Sequence, residues 1–389
     1  METTSVPPSF LPPPPLAPPP VITPPPAPKP RKSRGWMVAA IILLVLLAMS
    51  LFGNLTQLIT STLPFHPGGF HSEAFGSARE VGPKLDECLL ENNKSQNKIA
   101  VITVDGIITS HDSDGSGNNM VDVIAAQLDR ARLDKRVKAV ILKVDSPGGE
   151  VLASDEINKE ICAFQDDTKK PVICSMGSLA ASGGYYIASG CRWIEANDLT
   201  ITGSIGVIMH GWNYRGLMDK VGIAPMTFKS GKFKDMLSGE RATNEIPVEE
   251  HAMVQALIDE TYGQFKDVVA DGRGAAHKLN LNNPGKKDDQ GQELADDWED
   301  FADGRVLSGS QALALGFVDE LGNFDDAVDR AEKLAGIKSS NLVEYRERYD
   351  LSNFLSLFGE SGQSHDIKLQ LGADLPKLRA GYMYFLYQP

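Results

Sequence analysis

The chain has 389 residues, of which 42% are hydrophobic and 23% are charged, enough for one large domain or two ordinary ones. The first 35 residues carry a net charge of +3, which leaves −16 for the rest of a total of −13. This acidic balance argues against nucleic-acid binding as the main function, and the cysteine spacing argues against a metal site. Cys174 lies in an apolar run and is predicted to be a buried thiol, while a disulfide among Cys162, Cys191 and Cys88 stays open.

The N-terminal 52 residues form two segments of different composition. Fourteen of the 24 prolines fall within the first 30 residues, so residues 1–35 are predicted to be a disordered, proline-rich cytoplasmic segment, a spacer or a docking site. Residues 36–52, WMVAAIILLVLLAMSLF, are uncharged and predict one transmembrane helix, with a cleaved signal peptide as the alternative. The basic residues before this span favour a single-pass cell membrane protein whose remaining chain lies on the external, extracytoplasmic side.

Residues 53–97 are mixed in composition and are predicted to be a linker. From Lys98, strand and helix patterns alternate: KIAVITVDGII and VKAVILKVD read as buried strands, with the helical VDVIAAQLDRARLD between them. A second helical stretch, SDEINKEICAFQ, leads to the strand PVICSM. This alternation predicts an α/β domain with a parallel sheet over residues 98–336.

The last third of the chain contains one long predicted helix. The helix begins at Pro247, because proline is favoured in the first turn, and it is expected to end near Ala270. The polar segment 277–292, HKLNLNNPGKKDDQGQ, is predicted to be a surface loop, and residues 337–389 are predicted to be a C-terminal tail.

Two glycine-rich turns follow predicted strands, DSPGG at Asp145–Gly149 and ASGG at Ala181–Gly184. In open α/β sheets, functional groups gather beyond the carboxyl ends of the strands, and glycines allow backbone N–H groups to approach a ligand oxygen closely. Ser182 in the second turn therefore meets the requirements for a nucleophile beside an oxyanion hole. Either sequence alone is also explained as an ordinary glycine-containing turn after a strand, whereas the two together favour a catalytic site.

A serine nucleophile needs a base, and the sequence offers lysines more readily than a histidine. No GxSxG motif supports a Ser-His-Asp triad, and His210 is better explained as a structural residue. The segment FKSGKFKDMLSGE contains Lys229, Lys232 and Lys234, among which composition does not choose. A lysine with the reference pKa near 10.4 is neutral in only about 1 of 2,500 molecules at pH 7. A lysine base must therefore be desolvated or otherwise have its pKa depressed.

The motifs DSPGGEV, SMGSLAASGGYYIA, TGSIGV, KSGKFKD and GFVDELG together resemble the signal peptide peptidase A family of membrane-anchored serine proteases. The resemblance covers about residues 98–336 and implies the Clp-protease/crotonase-type fold, a β-β-α superhelix. It implies that Ser182 is the nucleophile, Lys234 the general base and Ser204 the residue that hydrogen-bonds the base. It also implies that the Gly149 N–H belongs to the oxyanion hole, to which the Gly183 N–H is added on geometric grounds.

The resemblance further implies a serine-type endopeptidase that cuts hydrophobic peptides such as residual signal peptides, without a cofactor or metal. Single-module members of the family form dome-shaped homo-oligomers, so an octamer-like assembly is expected, although the long segment 277–292 departs from the family pattern. Two alternatives are a non-catalytic membrane scaffold of the same fold and a crotonase-like acyl-CoA enzyme. A scaffold would have no reason to keep Ser182, Ser204 and Lys234 together. The acyl-CoA enzyme would need a carboxylate or similar group in place of Ser182 and Lys234.

Overall fold

The computed structural model describes residues 83–111, 118–282, 289–347 and 383–386, together with Leu43 and Leu44. The chain divides into two units, Met1–Ala78 and Arg79–Pro389, and the two leucines, which are helical, are the described part of the first. Within these described ranges, no helix is long and apolar enough to cross a membrane. Apart from the two leucines, the predicted proline-rich segment and transmembrane helix lie outside the described residues.

Twelve strands are present in the described part of the second unit. They are Leu85–Glu91 (β1), Lys98–Asp105 (β2), Val137–Ser146 (β3), Gly148–Glu150 (β4), Val172–Ala181 (β5), Trp193–Ala196 (β6), Ile201–Gly203 (β7), Ile208–Met209 (β8), Val306–Ser308 (β9), Glu320–Leu321 (β10), Asn341–Glu347 (β11) and Met383–Leu386 (β12). Nine of them form a mixed sheet in the order β1-β11-β2-β3-β5-β6-β10, with β7 and β9 attached through β5. A second sheet has the order β4-β12-β8.

Seven α-helices lie between these strands over the same described residues. They are Met120–Leu133 (α1), Val151–Thr168 (α2), Gly183–Ser189 (α3), Arg215–Val221 (α4), Val248–Leu281 (α5), Gly309–Ala314 (α6) and Phe324–Leu334 (α7). Strands β2, β3, β5 and β6 pair in parallel, which confirms the α/β class predicted from the sequence. In α1, the Asn119 side chain accepts a hydrogen bond from the Asp122 N–H and caps the helix.

The hydrophobic core lies on both faces of the large sheet. Alternate residues of β2 separate onto the two faces, as expected for a strand that is buried on both sides. Ala100 and Ile102 belong to the larger cluster, which also contains side chains of α1, α2 and α3. Ile99 belongs to the smaller cluster, where Trp193 packs with Ala327 of α7. The start of α3, which directly follows Ser182, is therefore supported by the larger core.

Helix α5 begins after Pro247, as predicted, but ends at Leu281 rather than near Ala270, so part of the expected loop 277–292 is helical. The extension carries two glycines, which in isolation indicate a helix end. A Cβ added at Gly272 would lie 2.3 Å from the carbonyl oxygen of Ser189. Glycine is needed here because the backbones of α5 and α3 approach closely, not because the helix stops.

The large sheet extends beyond residues 98–336 on both sides. Strand β1 lies in the predicted linker and β11 in the predicted tail, and β11 pairs with β1 on one edge and β2 on the other. The buried Lys98 ammonium forms ion pairs with Glu87 of β1 and with Asp134. The four cysteines are free thiols, and Cys174 is buried as predicted.

The Glu195 carboxyl is buried in the large sheet and has no hydrogen-bond partner among the described residues. It lies on β6 opposite Glu320 of β10, and a Cβ added at Gly322 would lie 2.2 Å from its Oε1. Burial, with a smaller contribution from the nearby carboxylates of Glu320 and Asp326, raises the pKa of Glu195 to about 8. In the folded protein Glu195 is therefore mostly protonated at neutral pH.

We expect Glu195→Gln to stabilise the protein at pH 8.5 and to have little effect at pH 5. The ordinary pKa of this carboxyl is 4.5. Between pH 4.5 and about pH 8, Glu195 is therefore protonated in the folded protein but ionised in the unfolded chain. Stability therefore falls as pH rises through this window, and the variant should gain on the order of 2 kcal/mol at pH 8.5. Urea unfolding at both pH values tests this, with the exposed Glu156→Gln as control. An equal change at both pH values would contradict the prediction.

Candidate active site

Ser182 connects the end of β5 to the start of α3 in a strained backbone conformation. Its φ of 54° and ψ of −116° are unusual for a residue with a side chain, and such strain costs on the order of 1–3 kcal/mol. The Ser182 N–H donates to the Gly203 carbonyl at 2.8 Å, and its own carbonyl accepts from the Tyr186 N–H at 2.8 Å. The surrounding backbone thus holds Ser182 in a sharp strand-to-helix turn, where strain typically marks a functional residue.

Two tyrosines anchor the short helix α3 behind Ser182. The Tyr185 hydroxyl donates to the Phe317 carbonyl at 3.0 Å, and the Tyr186 hydroxyl donates to Asp155 at 2.9 Å. Both tyrosines are buried, so each hydroxyl has the partner that burial requires. The SGGYY sequence therefore combines a strained turn with two fixed points that keep the turn in place.

Ser204 follows the strand next to the one that ends before Ser182. Strands β5 and β7 are parallel, and their register pairs Ala181 with Gly203, so the residues that follow each strand are neighbours. Ser204 is also buried and has a positive φ of 51°, and its N–H donates to the Arg305 carbonyl at 2.7 Å. Two strained serines therefore stand at the carboxyl ends of adjacent strands.

The two predicted oxyanion donors are also brought together. A Cβ added at Gly183 would lie 3.0 Å from the Gly149 nitrogen and 2.6 Å from Ser154 Oγ, so the two glycine-rich turns are in contact. Gly148, with a φ of 98°, turns the chain between β3 and β4 in a conformation that favours glycine. The glycines of both motifs are required because the two backbone segments approach too closely for side chains.

Lys234 lies apart from these buried residues, in an exposed turn. Over the described parts of the chain, its ammonium forms no hydrogen bond with Ser182 or Ser204. Lys229 forms an ion pair with Asp235 at 2.8 Å, and Lys232 forms one with Glu249 at 3.4 Å. Of the three candidate lysines, Lys234 alone has no ion pair with a described residue. The assignment of Lys234 as the base stays a prediction.

A polar cluster that the sequence does not predict lies beside Gly149. The Glu150 carboxylate accepts hydrogen bonds from the Ser110 N–H at 3.0 Å, the Ser110 hydroxyl at 2.6 Å and His111 Nδ1 at 2.9 Å. Burial raises the pKa of Glu150, but the bonds from Ser110 and the nearby His111 outweigh this and hold the pKa below its ordinary value. The cluster fixes the loop after Ile108 against Gly149. The sequence does not predict it, because His111 lies in a polar loop without a recognisable motif.

Comparison with known proteins identifies the class of this site. The model of peptidase family S49 matches residues 164–283 and 290–338, a range that includes Ser182, Ser204 and Lys234. The protease slr0021 of Synechocystis sp. is 40% identical over 243 residues, which cover 62% of this chain and 76% of that protein. The chain belongs to the S49 peptidase family. As a member of the S49 family it is a serine-type endopeptidase, which excludes the acyl-CoA enzyme and the non-catalytic scaffold.

Two further similarities link this S49 peptidase to named proteins. The signal peptide peptidase SppA of Enterococcus faecium is 35% identical over 280 residues, which cover 70% of this chain and 73% of that protein. Among solved structures, the 1510-N membrane-bound stomatin-specific protease in complex with a substrate peptide matches with a TM-score of 0.36 and 17% identity. That match covers 67% of this chain and 97% of the other.

Proposed function

We propose that this S49 peptidase is a membrane-anchored endopeptidase with a Ser-Lys dyad, which cleaves hydrophobic peptides such as residual signal peptides. Ser182 is the nucleophile and Lys234 the general base, and Ser204 orients the lysine. The backbone N–H groups of Gly149 and Gly183 stabilise the oxyanion. The observation that carries this proposal is the strained conformation of Ser182 in the second glycine-rich turn, where that turn contacts the first.

The proposed reaction proceeds through an acyl-enzyme. Ser182 Oγ attacks the carbonyl carbon of the scissile peptide bond while its proton passes to the neutral amine of Lys234, and the oxyanion is held by the two glycine N–H groups. The C–N bond then breaks, and the Lys234 ammonium returns the proton to the leaving amine. Water deprotonated by the same lysine attacks the ester, which releases the carboxylic acid product and restores Ser182.

The exposed position of Lys234 supports the proposal that the active enzyme is a homo-oligomer. The segment that carries this lysine exposes large apolar side chains, including Trp212, Met226 and Phe228 with exposed fractions of 82%, 81% and 90%. Several large apolar side chains exposed in one segment are typical of an interaction surface. A neighbouring copy that covers the segment would remove water from Lys234 and favour its neutral form. Native mass measurement of the solubilised chain tests this, because a fully active monomer would exclude it.

Membrane anchoring is supported by the sequence of the N-terminal segment. The uncharged run at 36–52 follows a basic cluster, so we propose a cytoplasmic N-terminus and an external peptidase domain. Protease added to intact spheroplasts should degrade the chain after Phe52 and leave residues 1–35 protected. Protection of the peptidase domain would exclude this orientation.

Covalent labelling tests the proposed nucleophile directly. A fluorophosphonate probe added to the detergent-solubilised full chain should modify Ser182, identified by mass spectrometry of the labelled peptide. Ser182→Ala should abolish the labelling, whereas Ser189→Ala, a buried serine seven residues away, should not. Labelling of another serine with Ser182 unmodified would refute the assignment.

A further inference from the structure

The proposed base Lys234 lies in a segment with almost no regular secondary structure. Residues 222–247, between α4 and α5, are all described and contain a single 3-10 helix of three residues, Thr243–Glu245. Local turns fix part of the backbone, as where the Lys234 N–H donates to the Gly231 carbonyl at 3.3 Å. Segments held only by such local bonds open easily, so a side chain on one needs further contacts to keep a single position.

Two carboxylates and two cations form a connected network around this turn. The Asp235 carboxylate accepts from the Lys229 ammonium at 2.8 Å and lies 3.6 Å from the Arg241 guanidinium. Arg241 also donates to the carboxylate of Glu250, in the first turn of α5. The exposed fractions of Asp235, Arg241 and Glu250 are only 11%, 14% and 4%. Solvent therefore screens these pairs less than ordinary surface pairs, and the network is able to hold one geometry.

Glu250 connects the turn to the start of α5. Its Oε1 accepts a hydrogen bond at 3.0 Å from the N–H of Leu237, a residue whose φ of 65° is uncommon for a residue with a side chain. Such a strained residue persists only where its surroundings fix it, and the bond to Glu250 is one contact that does so. Burial raises the pKa of Glu250, but the hydrogen bonds from Arg241 and the Leu237 N–H outweigh burial and keep the pKa below its ordinary value. The carboxylate is therefore ionised at neutral pH and accepts both bonds.

The network fixes the backbone on both sides of Lys234. The Lys229 ammonium donates to the Lys232 carbonyl at 3.3 Å, two residues before the proposed base. The Leu237 N–H, which donates to Glu250, lies three residues after it. The backbone that carries Lys234 is therefore held by charged side chains at both ends of the turn.

The network also occupies the carboxylate nearest to Lys234 in the chain. Asp235 directly follows Lys234, but its carboxylate pairs with Lys229 and Arg241. A carboxylate partner favours the protonated form of a lysine, which is unable to accept a proton. The pairing of Asp235 with the other two cations therefore suits a lysine that acts as a base.

We propose that Glu250 and Arg241 are positioning residues for the base: together with Asp235 they hold the turn 231–238 on the start of α5, so that the Lys234 amine reaches the nucleophile from one fixed position. This inference rests on the proposed function of Lys234. Proton transfer requires the base to lie within hydrogen-bond reach of the hydroxyl, and a displacement of about 1 Å costs about 10²-fold in rate.

The test measures hydrolysis of a quenched-fluorescent hydrophobic peptide by full-chain variants in the same detergent, each checked for folding by circular dichroism. Glu250→Ala should lower kcat by about 10- to 100-fold and leave KM within about twofold, because the base is displaced while peptide binding is unchanged. Glu250→Gln keeps an oxygen for the Leu237 N–H and should recover part of the lost kcat. The matched control is Glu249→Ala, which removes an exposed carboxylate from the same helical turn, paired with Lys232 at 3.4 Å, and should keep most of the activity.

A double variant separates positioning of the base from general support of the fold. If Glu250 acts only through Lys234, adding Glu250→Ala to Lys234→Ala should not slow fluorophosphonate labelling of Ser182 any further. Further slowing in that background, or a rise in KM together with the fall in kcat, would assign Glu250 a structural role and overturn the proposal. A wild-type kcat for Glu250→Ala beside an inactive Lys234→Ala would also overturn it and leave the proposed base intact. A wild-type kcat for Lys234→Ala would refute the proposed base, and this inference with it.

Discussion

Ser182→Ala and Lys234→Ala should each reduce kcat by about 10⁴-fold or more, because one removes the nucleophile and the other its base. Residues that act as one unit are not additive, so the double variant should be no less active than either single variant. Lys234→Arg should be as inactive as Lys234→Ala, since a guanidinium keeps its proton and is unable to act as a base. Ser204→Ala should retain a measurable rate, because it orients the lysine and does not attack the substrate.

The control for this series lies two residues from the proposed base. Lys232 is exposed and forms an ion pair with Glu249 at 3.4 Å, so Lys232→Ala should keep most of the activity. The measurement is turnover of a quenched-fluorescent hydrophobic peptide by the full chain, with folding checked by circular dichroism. If Lys234→Ala kept the wild-type rate while Lys229→Ala or a histidine variant lost it, the base would be misassigned.

Local patterns in the sequence predict the centre of the fold and most of the buried site. The apolar runs of β2, β3 and β5 fix a parallel sheet, and the glycines at 149 and 183 mark the two turns that meet beside Ser182. These features depend on short segments, each with a periodicity or a turn signal of its own. The contact of Ser182 with Gly203 follows from the parallel pairing of neighbouring strands.

Features that depend on distant pairing could not be predicted in this way. Strand β1, LDECLLE, is as polar as a linker, and its pairing with β11 joins segments about 250 residues apart. Strand β12 is only four residues long, and its sequence does not indicate that it pairs with Gly149 of β4. The surroundings of Lys234 depend on what covers an exposed turn, which neither composition nor spacing specifies. The continuation of α5 past Ala270 depends on its packing against α3, which Gly272 permits and which local sequence does not specify.

Arg273→Leu should lower the free energy of unfolding by about 3–5 kcal/mol, because it leaves a buried carboxylate without its countercharge. The Arg273 guanidinium donates to Asp319 at 2.5 Å, and both side chains are almost fully buried. Arg273 also donates to the Gly316 carbonyl at 3.2 Å, next to Phe317, whose carbonyl accepts the Tyr185 hydroxyl. The ion pair thus ties α5 to the segment that anchors α3 behind Ser182.

A surface ion pair on the same helix provides the matched control for Arg273. Lys266 pairs with Glu299 at 2.9 Å in an exposed position, so Lys266→Leu should cost less than about 1 kcal/mol. Urea unfolding of the three proteins in the same detergent at pH 7 measures the difference. Adding Asp319→Leu to Arg273→Leu should recover only part of the loss, because Asp319 also accepts the N–H groups of Ile194 at 2.8 Å and Gln292 at 3.0 Å. If Arg273→Leu and Lys266→Leu lowered the free energy of unfolding equally, the buried Arg273–Asp319 ion pair would contribute no more to stability than a surface pair, and the prediction would be wrong.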